Sequence, residues 1–258
     1  MRAALLRIAG GLALVWQLLP QRLRRLFLKA LFVLESRGSD TGGALARLFA
    51  IQDDLDLVVN ERALAHGGGV HPKHRLTRYH EFFIDRIGVG ERVIDVGCGY
   101  GAVARAIAHA RPNARVVGLD RDKGRLAQAR AHVNPPNLTF IEADATKELP
   151  DGPFDVVVLS NVLEHIVDRP GFLRGLIVRT GARRLLVRVP LFERDWKLPM
   201  RREVGANFYS DPDHKIEPTC AEFRAETAAA GLVVDEMIMA WGEIWASLKP
   251  LAAAGGGR

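Results

Sequence analysis

Cysteine is nearly absent: Cys98 and Cys220 are the two in 258 residues. They are too few and too far apart for a disulfide framework or a cysteine metal site, which points to a reducing cytoplasm. Acidic residues are missing from the first 34 positions, where Arg2, Arg7, Arg22, Arg24, Arg25 and Lys29 account for the whole formal net charge of +6. The remainder of the chain is neutral overall. Nucleic-acid enzymes usually carry a basic face on the folded domain, so this distribution argues against RNA or DNA as a partner, and Arg201-Arg202 reads as a solvated face. A long apolar run is lacking too. Ile8 to Leu19 falls short of the about 20 residues that a transmembrane helix needs, and no small-residue cleavage pattern follows it.

That run continues into Gln21-Arg22-Leu23-Arg24-Arg25-Leu26-Phe27-Leu28-Lys29. Leu23, Leu26, Phe27, Ala30, Leu31 and Leu34 recur at helical spacing, and the basic residues beside them favour an anionic membrane surface. The segment is expected either to lie at the inner face of the cell membrane or to pack on the rest of the chain. A second helical stretch carries Leu45, Leu48, Phe49, Leu55 and Val58 and ends near His66-Gly67-Gly68-Gly69. Residues 1–75 therefore read as a basic helical extension, 76–249 as the main domain and 250–258 as a flexible tail. His71, His74 and His80 lie close together, but without cysteines or a spaced helical pair they make no metal site.

The third glycine of the dinucleotide fingerprint is also missing. In Val93-Ile94-Asp95-Val96-Gly97-Cys98-Gly99-Tyr100-Gly101 an apolar strand runs into alternating glycines, but Ala102 stands where G-x-G-x-x-G would place its last glycine. Asp95 at the strand end would repel a pyrophosphate and suits a ligand with ammonium and sulfonium groups. The glycines let the backbone approach such a ligand closely, and Cys98 reads as a small residue filling the turn.

Three further strands end in polar groups. Ala114 to Asp120 ends in an acid at roughly the twenty-residue distance of a ribose-binding carboxylate. Leu138 to Glu142 leads to Ala143-Asp144-Ala145, and Phe154 to Leu159 leads to Ser160-Asn161-Val162-Leu163-Glu164-His165. Ligands of open parallel sheets bind outside the carboxyl ends of the strands, so Asp95, Asp120, Asp144 and Asn161 describe one site.

With these motifs in this order, the chain resembles the class I S-adenosylmethionine-dependent methyltransferases from Arg78 to Lys249. The resemblance implies a Rossmann-like, doubly wound α/β sheet of seven strands with the last antiparallel, and S-adenosylmethionine as cofactor. It also implies that the turn at Gly97, Gly99 and Gly101 lies against the methionyl part, that Asp120 accepts from the ribose hydroxyls and that Asp144 accepts from the adenine amino group. Cys98, Arg121, Ala145, Ser160 and Asn161 complete the expected cofactor set.

Beyond a fifth strand, Arg184 to Pro190, an irregular insert from Leu191 to Glu217 precedes Thr219-Cys220-Ala221-Glu222, a capping box, and the closing strands Val233–Ile238 and Ile244–Leu248. Long ordered inserts usually serve function, so acceptor selection is expected here. Trp196, Phe208, Tyr209, Asp211, Asp213 and His214 suit a sugar, and Asp-Pro-Asp-His followed by a helix loosely resembles methyltransferases of bacterial surface-glycan assembly. Arg194, Lys197, Arg201 and Arg202 are available to an acidic sugar or phosphate. The expectation is O-methylation of a surface glycan or its lipid-linked precursor; a quinone or other lipid-soluble small molecule is the alternative acceptor, and a cofactor-binding regulatory subunit the non-enzymatic one. An oxygen acceptor needs a base for its proton, and His214 and His165 are the candidates.

Overall fold

A computed structural model describes residues 2–211 and 213–251, with side chains from residue 10 onward. Pro212 and most of the expected tail, residues 252–258, lie outside the described residues. In chain order the elements are α1 (Arg2–Leu18), α2 (Gln21–Glu35), α3 (Thr41–His66), α4 (Lys73–Thr77), α5 (Tyr79–Ile84), β1 (Arg92–Val96), α6 (Ala102–Ala110), β2 (Arg115–Asp120), α7 (Lys123–Ala131), β3 (Leu138–Glu142), β4 (Val156–Ser160), α8 (Arg169–Thr180), β5 (Arg184–Pro190), α9 (Lys197–Glu203), α10 (Cys220–Ala229), β6 (Leu232–Ala240) and β7 (Glu243–Pro250). They fall into two compact units, Met1–Arg62 with Met200–Phe208, and Ala63–Pro199 with Tyr209–Arg258.

The second unit holds a seven-stranded sheet in the order β3-β2-β1-β4-β5-β7-β6. β7 runs antiparallel to both its neighbours, and the other pairings are parallel. The period of two in the strands explains two cores. Val93, Val156 and Val158 join Phe82, Phe83 and Ile107 on one face, while Ile94, Val157 and Leu159 join Leu173 and Leu176 on the other. Burial of both faces is why these strands read as continuous apolar runs. The strand order reverses between β1 and β4, and it is there that a crevice opens at the strand ends.

Helix termini follow local chemistry. Asp122 caps α7 and Asp168 caps α8, each accepting from a backbone N–H three residues on, and the Thr219–Glu222 capping box starts α10. The stretch expected to be irregular carries α9, whose Pro199 sits in the first turn, where a missing N–H costs nothing.

In the first unit, α2 has no buried residue, and Leu23, Leu26, Phe27, Leu31 and Leu34 stand exposed. Among the described residues no helix is long and apolar enough to cross a membrane. Arg201 departs from the solvated reading: it is buried over the Phe49 ring and paired with Asp53 at 2.9 Å. A guanidinium stacked and paired in this way is not free for a phosphate or an acidic sugar.

Candidate functional site

The turn after β1 is held in the left-handed region at Gly97, Gly99 and Gly101 (φ 71, 54 and 74°). A Cβ on Gly97 would meet Val162 Cγ2 at 2.8 Å, and one on Gly101 would meet Phe140 Cζ at 2.6 Å, whereas Gly99 faces open space. Two of the three glycines are thus demanded by the protein's own packing.

Asp120 ends β2 beside this turn. Its Oδ2 accepts from the Gly99 N–H (2.7 Å) and its Oδ1 from the Asp122 N–H (2.8 Å). A carboxylate has about four acceptor sites, so this one fixes the turn and still offers two to a pair of hydroxyls. Asp144 accepts from the Thr146 backbone and hydroxyl and lies 3.3 Å from the Lys147 ammonium. Chiefly through Thr146, its pKa is held below the ordinary carboxylate range.

Asp95 is 1 % exposed, and its Oδ2 has no hydrogen-bond partner. Burial pushes its pKa up to about 7, against a smaller opposing effect of the Ala104 N–H. Cys98 is no nucleophile, because burial pushes its thiol well above the usual range.

A cavity of about 290 Å³ at these strand ends is lined by Gly97, Asp120, Arg121, Asp144, Ala145, Asn161 and His165 of the expected residues, together with Phe172, Asp211 and Asp213. Asp95, Cys98, Gly99, Gly101 and Ser160 do not line it. Ser160 Oγ instead accepts from Arg188 at 3.3 Å.

A second cavity, of about 460 Å³, shares Asn161, His165 and Asp211 with the first and adds His214, Lys73, Arg188, Arg194, Trp241 and Glu243. His214 is buried, with Nδ1 3.0 Å from Glu217 Oε1 and its ring centroid 4.9 Å from that of His165. Burial of Glu217 opposes its ionisation, but hydrogen bonds from His214, Ser210 and Arg194 outweigh it and hold the pKa at about 2. Glu164 is fully buried; its Oε1 accepts from Asn161 Nδ2 (2.8 Å), its Oε2 has no partner, and burial raises its pKa to about 7. Its backbone carbonyl accepts from the Lys215 N–H at 2.7 Å, which brings the segment bearing His214 onto the end of β4. His165 is exposed, and partial burial followed by the neighbouring His214 lowers its pKa. The donors of Glu164, His165 and His214 come within 4.8 Å of one another, a spacing compatible with a cation.

Two of the cavity's cations are neutralised inside the protein. Arg188 forms a two-pronged pair with Glu243 and stacks over Tyr79, and Arg194 pairs with Glu217. Arg194 is therefore not the free anion ligand expected of it. Glu164, Glu217, Arg188, Glu243 and Trp241 were not singled out by sequence reasoning; Glu217, three residues after a histidine and just before a helix cap, carried the one usable signal.

Residues 93–177 match a family model described as a methyltransferase domain. The chain is 31% identical over 186 residues to the ubiquinone biosynthesis O-methyltransferase of Aeromonas salmonicida, covering 66% of this chain and 76% of that one. It is 39% identical over 93 residues to the trans-aconitate 2-methyltransferase of Streptomyces avermitilis, where only 33% of this chain and 35% of the relative are covered. In fold it resembles the magnesium protoporphyrin IX methyltransferase of Synechocystis PCC 6803, solved with S-adenosylhomocysteine bound, at a TM-score of 0.53 and 18% identity over 76% of this chain and 99% of that one. The fold thus has its counterpart in a known enzyme, and the chain belongs to the class I S-adenosylmethionine-dependent methyltransferases.

Proposed function

We propose that this methyltransferase O-methylates a hydroxyl of a lipid-soluble, quinone-type small molecule. The observation that carries the reading is the pair of cavities meeting at Asn161 and His165, one lined by the strand-end acids and the other by His214. The match to the quinone enzyme spans two thirds of this chain, whereas the match to the trans-aconitate enzyme spans one third. The glycan acceptor has no such support. Two of the cations expected to serve it are committed within the protein, Arg194 to Glu217 and Arg201 to Asp53.

In this reading Asp120 holds the ribose, Asp144 the adenine end and the Gly97–Gly101 turn the methionyl part, with Arg121, Ala145 and Asn161 around them. The bound cofactor supplies an electrophilic methyl group on a sulfonium. Asp95, poised near pH 7 beneath the turn, gives a negative charge toward the cationic end. The 460 Å³ cavity would hold the acceptor next to the cofactor cavity, which it meets at Asn161 and His165. Glu217 accepts from Nδ1–H of His214, which would leave the Nε2 lone pair to take the acceptor's hydroxyl proton, and bound S-adenosylmethionine would supply the methyl group. His165 orients His214 edge to face. The exposed apolar stripe of α2, flanked by Arg22, Arg25 and Lys29, brings the enzyme to the anionic inner membrane face where such an acceptor dissolves.

The test is methyl transfer from labelled S-adenosylmethionine to a polyprenylated catechol in phosphatidylglycerol vesicles. Labelled methyl ether is expected. Label appearing instead only in saccharide or glycolipid acceptors would overturn the reading.

A further inference from the structure

β6 and β7 are joined by two residues, Trp241 and Gly242, with Ala240 opposite Glu243 in the ladder. Both loop residues have positive φ, 55° and 78°, the pattern of the type I′ hairpin turn, whose first position favours asparagine, aspartate or glycine. Tryptophan there is a steric misfit, since the left-handed region costs an L-residue roughly 1 kcal/mol or more and is rare for bulky side chains. Asn161, also in this region at φ 58°, is by contrast a residue type that tolerates it.

The strain is held in place from outside the turn. The Gly242 carbonyl accepts from the Leu191 N–H at 3.0 Å, and a Cβ on Gly242 would meet Arg194 Cδ at 3.1 Å, so the Arg194 stem packs directly against the loop. Strained residues persist where the surroundings over-determine them, and they concentrate at ligand sites. Trp241 is 67% exposed while lining the cavity that contains His214. A misfit turn residue, an exposed indole and a cavity of about 460 Å³, within the usual range for small-molecule sites, coincide at one place.

We propose that Trp241 is the specificity-determining face of the acceptor pocket, an indole platform against which a planar aromatic acceptor stacks. This rests on the acceptor reading given above and deepens it. The ring clamps the acceptor between the β6–β7 turn and the His165–His214 pair. A flat π face stacks on a planar ring in offset geometry, so the platform suits a phenolic acceptor.

The experiment compares the wild type with Trp241→Asn, which fits the turn but has no ring, and Trp241→Phe, which keeps a smaller ring. Melting temperature, S-adenosylhomocysteine binding and binding of 3-methylcatechol in its presence are measured by calorimetry. Trp241→Asn is expected to raise Tm by about 2–4 °C through relief of roughly 1 kcal/mol of strain, to leave S-adenosylhomocysteine affinity unchanged and to weaken catechol binding about tenfold or more. Trp241→Phe is expected to retain most of the catechol affinity. Equal catechol binding by wild type and Trp241→Asn, no binding by the wild type, or a Tm that falls in Trp241→Asn would each overturn the proposal. Turnover separates this from the reading it rests on. Catechol that binds through Trp241 without being methylated defeats the proposed reaction and leaves the platform intact; catechol methylated with an unchanged KM in Trp241→Asn does the reverse.

Discussion

Nδ1 of His214 stands 3.0 Å from Oε1 of Glu217, and both side chains are buried. A buried carboxylate behind an imidazole fixes the ring's tautomer and orientation, which is what a proton-accepting histidine requires. His214→Ala is expected to lower turnover roughly a hundredfold, the usual scale for a positioned base, with S-adenosylmethionine affinity unchanged. Glu217→Gln should lower turnover less, because the amide oxygen still accepts from Nδ1–H and holds the ring in place. Steady-state kinetics from pH 5 to 9 check both, and wild-type turnover in His214→Ala would remove the assignment.

Glu217 also links this pair to acid stability. Its pKa of about 2 in the folded protein lies below that of an unfolded glutamate, so the stabilisation is present above about pH 4.5 and is lost as pH falls toward 2. Acid unfolding followed by circular dichroism should show a shallower loss of stability between pH 4.5 and 2 in Glu217→Gln than in the wild type. An identical acid limb in the two proteins would contradict the linkage.

Asp95 has the opposite sign. Its folded pKa of about 7 exceeds the unfolded value, so its contribution is present below about pH 4 and is lost as pH rises through 7. Asp95→Asn should therefore stabilise the ligand-free protein at pH 8, by about 1–3 kcal/mol on the scale of a buried unsatisfied group. It should also weaken cofactor binding. In the wild type at pH 7, binding of the cationic cofactor should release part of a proton, read by calorimetry in buffers of different ionisation enthalpy. Absence of buffer dependence would place Asp95 outside the cofactor's field.

Asp120→Ala is expected to weaken S-adenosylmethionine binding by about 1.5–3 kcal/mol, the range for hydrogen bonds to a charged group. Because Asp120 also fixes the Gly99 and Asp122 backbone, the loss should be smaller in Asp120→Asn, which keeps one acceptor oxygen. Titration calorimetry on folded variants decides it, with unchanged affinity removing the ribose role.

What could be read from the sequence was whatever is encoded locally. The buried strand runs, the Gly97–Gly101 turn, the acids at the ends of β1 and β2 and the Thr219–Glu222 box all lie within a few residues of their own signals. Partnerships across long separations were invisible: Arg188 with Glu243, Arg194 with Glu217 and Arg201 with Asp53 look like free charges until the fold brings the pairs together. The insert misled for the same reason. Its arginines suggested an anionic acceptor, yet two of them are neutralised inside the protein. Gly97 and Gly101 also meet packing demands that the sequence did not show, since a Cβ at either would collide with Val162 or Phe140.

The central claim is transfer of a methyl group to a hydroxyl of a lipid-soluble aromatic acceptor. Its most direct measurement is mass spectrometry of a polyprenylated catechol incubated in phosphatidylglycerol vesicles with S-[methyl-¹³C]adenosylmethionine and the full-length protein. The account predicts an O-¹³CH₃ ether formed in step with S-adenosylhomocysteine, with the rate falling when residues 1–34 are removed. No labelled ether from the catechol, with labelled methyl appearing in a saccharide acceptor instead, would contradict it.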